Sequence, residues 1–469
     1  MAPREPKTLD HAPSGPNEVY QQTLLGRIDQ RFLSTPIARI ALLVILAAIL
    51  IVPAVQAAVR IREIDRSLFR AEGERHKTAL GRWLPSAGAL EKGTEDPYGY
   101  GHWFPTPPLV LMALVPFLKM GYAAAGVIWA ALKVAGFVAA MAFLISALRR
   151  SGLPVPTGLL LAAGIFSIRP IVSDLQHANL NIFVLIWVAL AWGLYIRGND
   201  FWAGVFTALA IVTKITPGLM LLYFLYKREW RVGIGAVVGL VLLVLVIPGA
   251  YIGWSRNMQF LREWFDMIVA PFAFGGWATF EIANQSLYGT LLRVLSNAHL
   301  LSIEHMPADQ AMAAGMEDMA RPLTALGRLI RPVLSLGILG SLALLCRGRI
   351  GRRHDIRRWL EFALILIAML LMGERTWKHH ATTLPIVYLA YWCALACLPW
   401  TDRFRQWHVA GLAVQFVLLV AGGEGFMGKR IADMMLDGGF FCWGLVLLGV
   451  QTAVLLAALD RSQRTTANA

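Results

Sequence analysis

The chain has 469 residues, of which 57% are hydrophobic and only 15% charged, and a net charge of +14; its mean hydropathy is +0.57. A water-soluble chain of this length would carry more charge on its surface, so one membrane domain fits better than two or three soluble ones. The basic excess falls in short loops between apolar runs, as in cytoplasmic membrane loops, and so does not point to nucleic acid.

The opening stretch MAPREPKTLDHAPSGPNE is Pro-rich and polar, so residues 1–36 are expected to form a disordered cytoplasmic tail. Ile37–Val59 is the first apolar run of the roughly 20 residues a span needs. The hydrophilic segment before it is too long for a signal peptide's basic region, so the run reads as a retained anchor. The basic stretches Arg149–Arg150, Lys227–Arg231, CRGRIGRRHDIRR (346–358) and Arg403–Arg405 are assigned to the cytoplasm. Spans then fall near 37–59, 121–147, 155–171, 180–197, 201–214, 217–226, 231–253, 330–346, 358–373, 381–398, 407–421 and 438–458, with both termini cytoplasmic. This places a single transmembrane domain over 37–458 and a second tail over 459–469.

Twelve crossings require that Pro105–Lys119, short and opened by the rigid PTPP, does not cross. The short segments 201–214 and 217–226 flank a Lys-Ile-Thr-Pro step and read as a broken helix pair. Two long external segments result, 60–120 and 254–329, the second opening with the amphipathic WSRNMQFLREWFDMIV. Such loops suit an enzyme or receptor more than a channel, and no internal repeat is visible to suggest an inverted-repeat transporter. Cys346, Cys393, Cys397 and Cys442 all lie in or beside apolar runs; the i,i+4 pair Cys393/Cys397 reads as a core stripe rather than a metal site.

This topology brings four polar clusters to the external side: 173–181 (SDLQHANLN), 213–217 (TKITP), 281–286 (EIANQS) and 374–380 (ERTWKHH). Lys214 sits between two apolar runs, where a charge is costly; it reads as a cation for a phosphate or as a snorkelling helix-end lysine. Arg375, Lys378, His379 and His380 form a dense cationic cluster suited to a leaving phosphate, with a headgroup-touching basic belt as the plainer reading. No HExxH or paired-carboxylate motif accompanies these histidines, so no metal is expected. Gln176, Asn179 and Asn181, like Asn284, Gln285 and Ser286, supply amides or a hydroxyl for helix caps or for sugar hydroxyls. Among the carboxylates of the first external segment, Asp65 follows the first span directly. Asp96 opens the aromatic, turn-rich DPYGYGHWFPTPP, which also holds His102. Either aspartate could serve as an external base.

These motifs, in this order, resemble glycosyltransferase family 87. The stretch 176–231 is similar to that family's core, with a Gly-Gln-x-Asn-like opening at Gln176, a small-residue helix, an Ile-Lys-x-x-Pro-like step at Lys214-Ile-Thr-Pro217 and a basic cytoplasmic loop. DPYGYGHWFPTPPL resembles its Asp-Pro-Tyr…Pro-Pro-Leu segment, NQSLYGTLLRVL its Asn-Gln-Ser-Leu block, and TWKHHATTLP its Trp-x-His-His…Pro block. Leu175 stands where the family has Gly before Gln, and no carboxylate occurs between Lys77 and Arg82, where the family's acidic residue is expected.

The resemblance implies an all-α, polytopic membrane protein of the GT-C type with about twelve transmembrane helices. It implies sugar transfer from a polyprenyl-phosphate donor, mannose first and arabinofuranose second, to a hydroxyl on a lipid or glycan acceptor. The reaction would occur on the extracytoplasmic side of the cell (inner) membrane, in contact with membrane lipids and without a cofactor. Asp65 first and Asp96 second would be the base. Lys214, Arg375, Lys378, His379 and His380 would hold the donor phosphate, and Gln176, Asn179, Asn284, Gln285 and His102 would bind substrate. The alternatives are a transporter or flippase of lipid-linked sugars, using the same cations without a base, and a polysaccharide polymerase or ligase.

Overall fold

The computed structural model describes residues 15–63, 78–93, 97–98, 104–307, 319–348 and 352–468. The chain is an all-α helical bundle with a small cap, and it spans a membrane. Twelve helical segments among the described residues lie close to the ranges expected from the apolar runs. Seven helices are long and apolar enough to cross a membrane on length and composition; others, such as Asn181–Ile196, are apolar but shorter.

The order runs α1 (Pro16–Gln22), α2 (Leu24–Ile28), a π-helical turn at Asp29–Leu33, then α3 (Pro36–Arg62), α4 (Ala79–Lys92) and α5 (Pro108–Lys119). It continues through α6 (Tyr122–Arg149), α7 (Thr157–His177), α8 (Asn181–Ile196), α9 (Asp200–Thr213), α10 (Gly218–Tyr226) and α11 (Trp230–Leu240). Local signals explain many boundaries. Thr35 caps α3 by accepting from Ala38 N at 3.2 Å, with Pro36 in the first turn where its missing N–H costs nothing. α11 passes into a π-helical segment, Val241–Val246, just ahead of Pro248.

The first correction concerns the N-terminal tail. Residues 16–33 are helical, because Val19 and Tyr20 are apolar enough to bury and Asp29 accepts from Gly158 N at 3.2 Å. Residues 1–14 lie outside the described region. At the other end the expected tail continues the last helix, Phe440–Asn468.

The two ends of the bundle differ in chemistry. At one end the basic loops meet in a buried ionic network. Glu361 holds Lys227 (2.9 Å) and Arg357 (3.2 Å), and Glu229 holds Arg358 (3.4 Å). Arg353 pairs with Asp200, and Arg357 with Asp460. Trp359 Nε1 donates to Ser151 Oγ at 3.1 Å, bringing the loop after α6 to the same end. The N-terminal helices and Asp460 lie there too, so the chain enters and leaves the bundle on one side.

The opposite end carries α4, α5 and the cap. A Cβ on Gly126, near the start of α6, would lie 3.1 Å from Ala58 and 3.2 Å from Ile61, near the end of α3. The segment between these helices therefore starts and finishes at one end, in keeping with an α5 that does not cross. Its 12 residues reach only about 18 Å. The cap is a three-stranded antiparallel sheet, β1 (Ala278–Thr279), β2 (Ile303–His305) and β3 (Met319–Pro322), in the order β1-β3-β2. The helix Leu287–Asn297 packs beside it. Buried Arg293 ties this helix down by donating to the carbonyls of Glu281, Asn284, Leu436 and Asp437.

The core lies around the helices Ile356–Met372 and Leu384–Cys397, which are buried along nearly their whole length. Trp192 stacks on Phe362 with centroids 3.9 Å apart at its centre. Cys393 and Cys397 are buried there, as a core stripe should be. The helices α3 and Ala325–Leu345 instead turn apolar faces outward, with Ile37, Leu43, Leu326 and Leu336 exposed. Lipid, unlike water, tolerates such faces.

Candidate active site

The site grows from the junction of α7 and α8 at the end opposite the basic loops. α7 stops because Ala178 takes the left-handed conformation (φ 49°, ψ 39°). Trp129 Nε1 secures that turn by donating to Ala178 O at 3.1 Å. The chain re-enters the bundle as α8, and the Asp174 carboxylate caps it, accepting from Ile182 N at 3.3 Å and Asn181 Nδ2 at 3.0 Å. A carboxylate at a helix N-terminus is favoured by the exposed amides and the dipole.

Asp174 is also one half of a buried ion pair. Lys133, from the middle of α6, reaches its Oδ2 at 2.7 Å and its backbone carbonyl at 2.7 Å. Both side chains are essentially inaccessible, at 1% and 0% exposure. Asn181 Oδ1 in turn accepts from Lys214 Nζ at 2.9 Å. Lys214 projects from the break between α9 and α10, where Pro217 prevents the helix from continuing. At 16 residues, α8 measures about 24 Å from the basic end, less than a hydrocarbon core of about 30 Å. Asn181 and Lys214 lie at its end, at the floor of the site.

The turn Lys378–His380 lies over this floor. Thr382 Oγ1 donates to Asn181 O at 2.8 Å and joins the two. His379 stacks on His177, centroids 4.8 Å apart and planes 20° from parallel, and its Nε2 faces Asn179 Nδ2 at 3.3 Å. That arrangement, with the amide donating, needs a neutral ring. Burial, then the neighbouring histidines and lysines, pushes His379 well below the usual imidazole range; burial and Lys214 do the same to His380. These rings were expected as cations. Sharing a desolvated space with Lys214 favours their neutral, hydrogen-bonding form.

The other expected residues divide. Lys378 stays at the site's edge, its pKa lowered by burial and by Arg169 and partly restored by Glu424 and Asp433. Arg375 turns toward the cap, with Nε donating to Thr279 Oγ1 at 2.5 Å and lying 3.6 Å from Glu374. Asn284 and Gln285 are not free to line a cavity. Asn284 Nδ2 donates to the carbonyls of Thr279 and Glu374, and Oδ1 accepts from Ser286 N and Thr376 N. Gln285 Nε2 donates to Ile282 O and Leu436 O. Both are wholly buried, and together they clip the histidine loop to the cap. Gln176 is half-buried on the last turn of α7. Asp65, Asp96 and His102 lie outside the described residues.

Two members of the site went unnoticed in the sequence. Lys133 is a lone charge in the apolar run of α6, the kind of residue that marks function within a span. Arg169, on α7, donates to Leu419 O and Gly422 O at 3.3 and 3.1 Å and faces the Phe441 ring.

The model of glycosyltransferase family 87 matches residues 104–373, which hold Lys133, Asp174, Asn181 and Lys214 and end just before the histidine loop. The chain is 23% identical over 337 residues to a polyprenol-phosphate-mannose-dependent α-(1-2)-phosphatidylinositol mannoside mannosyltransferase of Mycobacterium tuberculosis, covering 68% of this chain and 72% of the relative. The enzyme of the same name from Mycolicibacterium smegmatis is 23% identical over 369 residues, covering 72% and 76%. Among solved structures, ArnT from Cupriavidus metallidurans bound to undecaprenyl phosphate aligns with 14% identity and a TM-score of 0.42, over 88% of this chain and 77% of that one. The matched family segment is more than half of the chain and carries the Lys214 floor and the cap that holds the histidine loop: the chain belongs to glycosyltransferase family 87 and is a membrane-embedded glycosyltransferase.

Proposed function

We propose that the enzyme transfers a sugar, mannose first and arabinofuranose second, from a polyprenyl-phosphate donor to a hydroxyl of a lipid or glycan acceptor. The reaction takes place on the extracytoplasmic face of the cell membrane. The observation that carries this reading is Lys214, a cation held by Asn181 at the floor of the site and overhung by neutral histidines. A lipid-linked phosphate reaches that floor naturally, because its chain stays in the bilayer. The relatives' names point the same way, since both act with polyprenol-phosphate-mannose. The basic network at the far end supports a cytoplasmic placement of that end and of both termini.

In this reading the acceptor oxygen attacks the anomeric carbon while the bond from that carbon to the phosphate oxygen breaks. Polyprenyl phosphate leaves with the electron pair, and the hydroxyl proton passes to a carboxylate, Asp65 first and Asp96 second. A single displacement inverts the anomeric centre. Lys214 neutralises the donor phosphate, and His379 and His380 donate hydrogen bonds to the charge that builds on the leaving group. Lys378 and Arg375 lie at the rim, and Gln176 and Asn179 face the sugar.

The test uses the purified chain in liposomes with radiolabelled polyprenyl-phosphate sugars and bacterial lipid extract. Labelled product with the mannose donor is expected. Either Asp65→Asn or Asp96→Asn should abolish transfer while leaving donor binding intact. Transfer surviving both changes would remove these aspartates as bases, and no product from any donor would sink the reading.

A further inference from the structure

Lys214 lies near a carboxylate that could cancel its charge. Asp174 is two hydrogen bonds away, through Asn181: Asp174 Oδ1 takes one Asn181 Nδ2 proton at 3.0 Å, and Asn181 Oδ1 takes a proton from Lys214 Nζ at 2.9 Å. Left alone, a buried aspartate at this distance would draw the ammonium toward itself and leave the floor neutral. It is not left alone, because Lys133 Nζ contacts it at 2.7 Å from the opposite side. The four side chains form an unbroken line across α6, α7, α8 and the α9–α10 break. Their charges run plus, minus, neutral, plus.

We propose that Lys133 is a positioning residue that acts through Asp174 and Asn181 to keep the Lys214 ammonium unpaired and oriented for the substrate. The proposal rests on Lys214 being the donor-phosphate group. It assigns Lys133 a task beyond stabilising the fold. By satisfying Asp174, it lets that carboxylate cap α8 and orient the Asn181 amide without neutralising Lys214. With both lysines protonated, the line then carries a net charge of one. A polyprenyl-phosphate sugar is a phosphodiester, with the phosphate esterified to both lipid and sugar, and carries one negative charge. The floor therefore matches the donor in charge.

The experiment compares donor KM, kcat and thermal stability for Lys133→Met, the neutral pair Lys133→Met/Asp174→Asn, Lys133→Arg and Lys214→Met, all in liposomes. Lys133→Met leaves Asp174 free to pair with Lys214, and donor KM should rise about tenfold or more, the effect of one lost charge-assisted contact. The neutral pair restores a net charge of one and should recover most of that KM, even if its stability stays below that of the parent. Lys133→Arg should behave nearly as the parent.

If Lys133 only stabilises the fold, melting temperature will fall while donor KM of the folded fraction stays unchanged, and the proposal is overturned. A neutral pair that folds but keeps the raised KM also overturns it. Lys214→Met separates the two levels: an unchanged donor KM there refutes the phosphate role of Lys214 itself, whatever Lys133 does.

Discussion

His379 and His380 illustrate how burial changes what a residue can do. Both are held neutral by desolvation and by nearby cations, so their folded pKa lies well below the ordinary imidazole value of 6.5. The unfolded chain takes up protons as pH falls through that value, and the folded chain does not. The stability contributed by neutral burial is thus fully present above pH 6.5 and is lost progressively below it. Melting temperatures of the detergent-solubilised protein between pH 7.5 and 5 should fall steeply on the acid side, and His379→Gln should flatten the slope; an unchanged slope would count against neutral burial. At the basic end, Glu361→Gln would remove the carboxylate that Lys227 and Arg357 share, with an expected loss of about 3 kcal/mol in stability, measurable by chemical denaturation.

Lys214 could be singled out in the sequence because a charge between two apolar runs stands out. Lys133 carries the same signal, but a 28-residue helix stays strongly apolar around a single lysine. Arg375 and Asn284 could not be interpreted alone. Their partners, Thr279 and Glu374, lie about ninety residues away, and only contact decides whether an amide meets a sugar or a carbonyl.

At the scale of elements, the floor of the site depends on how closely α9 and α11 approach. A Cβ on Gly204 would come within 2.1 Å of Val232 O, and one on Gly235 within 2.0 Å of Phe201 O. Backbone meets backbone here, as small residues permit in membrane helix pairs. Gly235→Ala should push the helices apart and destabilise the protein by about 1–3 kcal/mol, read as a lower melting temperature. Because α9 ends at Lys214, donor KM should rise as well. An unchanged melting temperature would mean that the two backbones are not in contact. Helix existence and order followed from the apolar runs, and the α9–α10 break from Pro217. The closeness of α9 and α11 did not, since glycine in an apolar run is compatible with contact or with lipid.

At the scale of the molecule, the bundle has a basic end and a site end, and the orientation can be tested directly. Phe274 is exposed at the site end and Asn199 at the basic end. In a variant with the four buried cysteines replaced, Phe274→Cys should react with a membrane-impermeant maleimide added to intact cells. Asn199→Cys should react only after permeabilisation. The reverse pattern would invert the topology and move the chemistry to the cytoplasm.

Hydrophobicity is additive along the chain, so the membrane class, the order of the helices and the gathering of polar clusters at one end could be read from order and composition. Burial and pairing are not additive. Whether His379 is charged, whether Asn284 clips a loop or touches a sugar, and which cation Asp174 satisfies all depend on side chains brought together from distant helices. The electrostatic free energy of a buried group is set by those neighbours rather than by its own type.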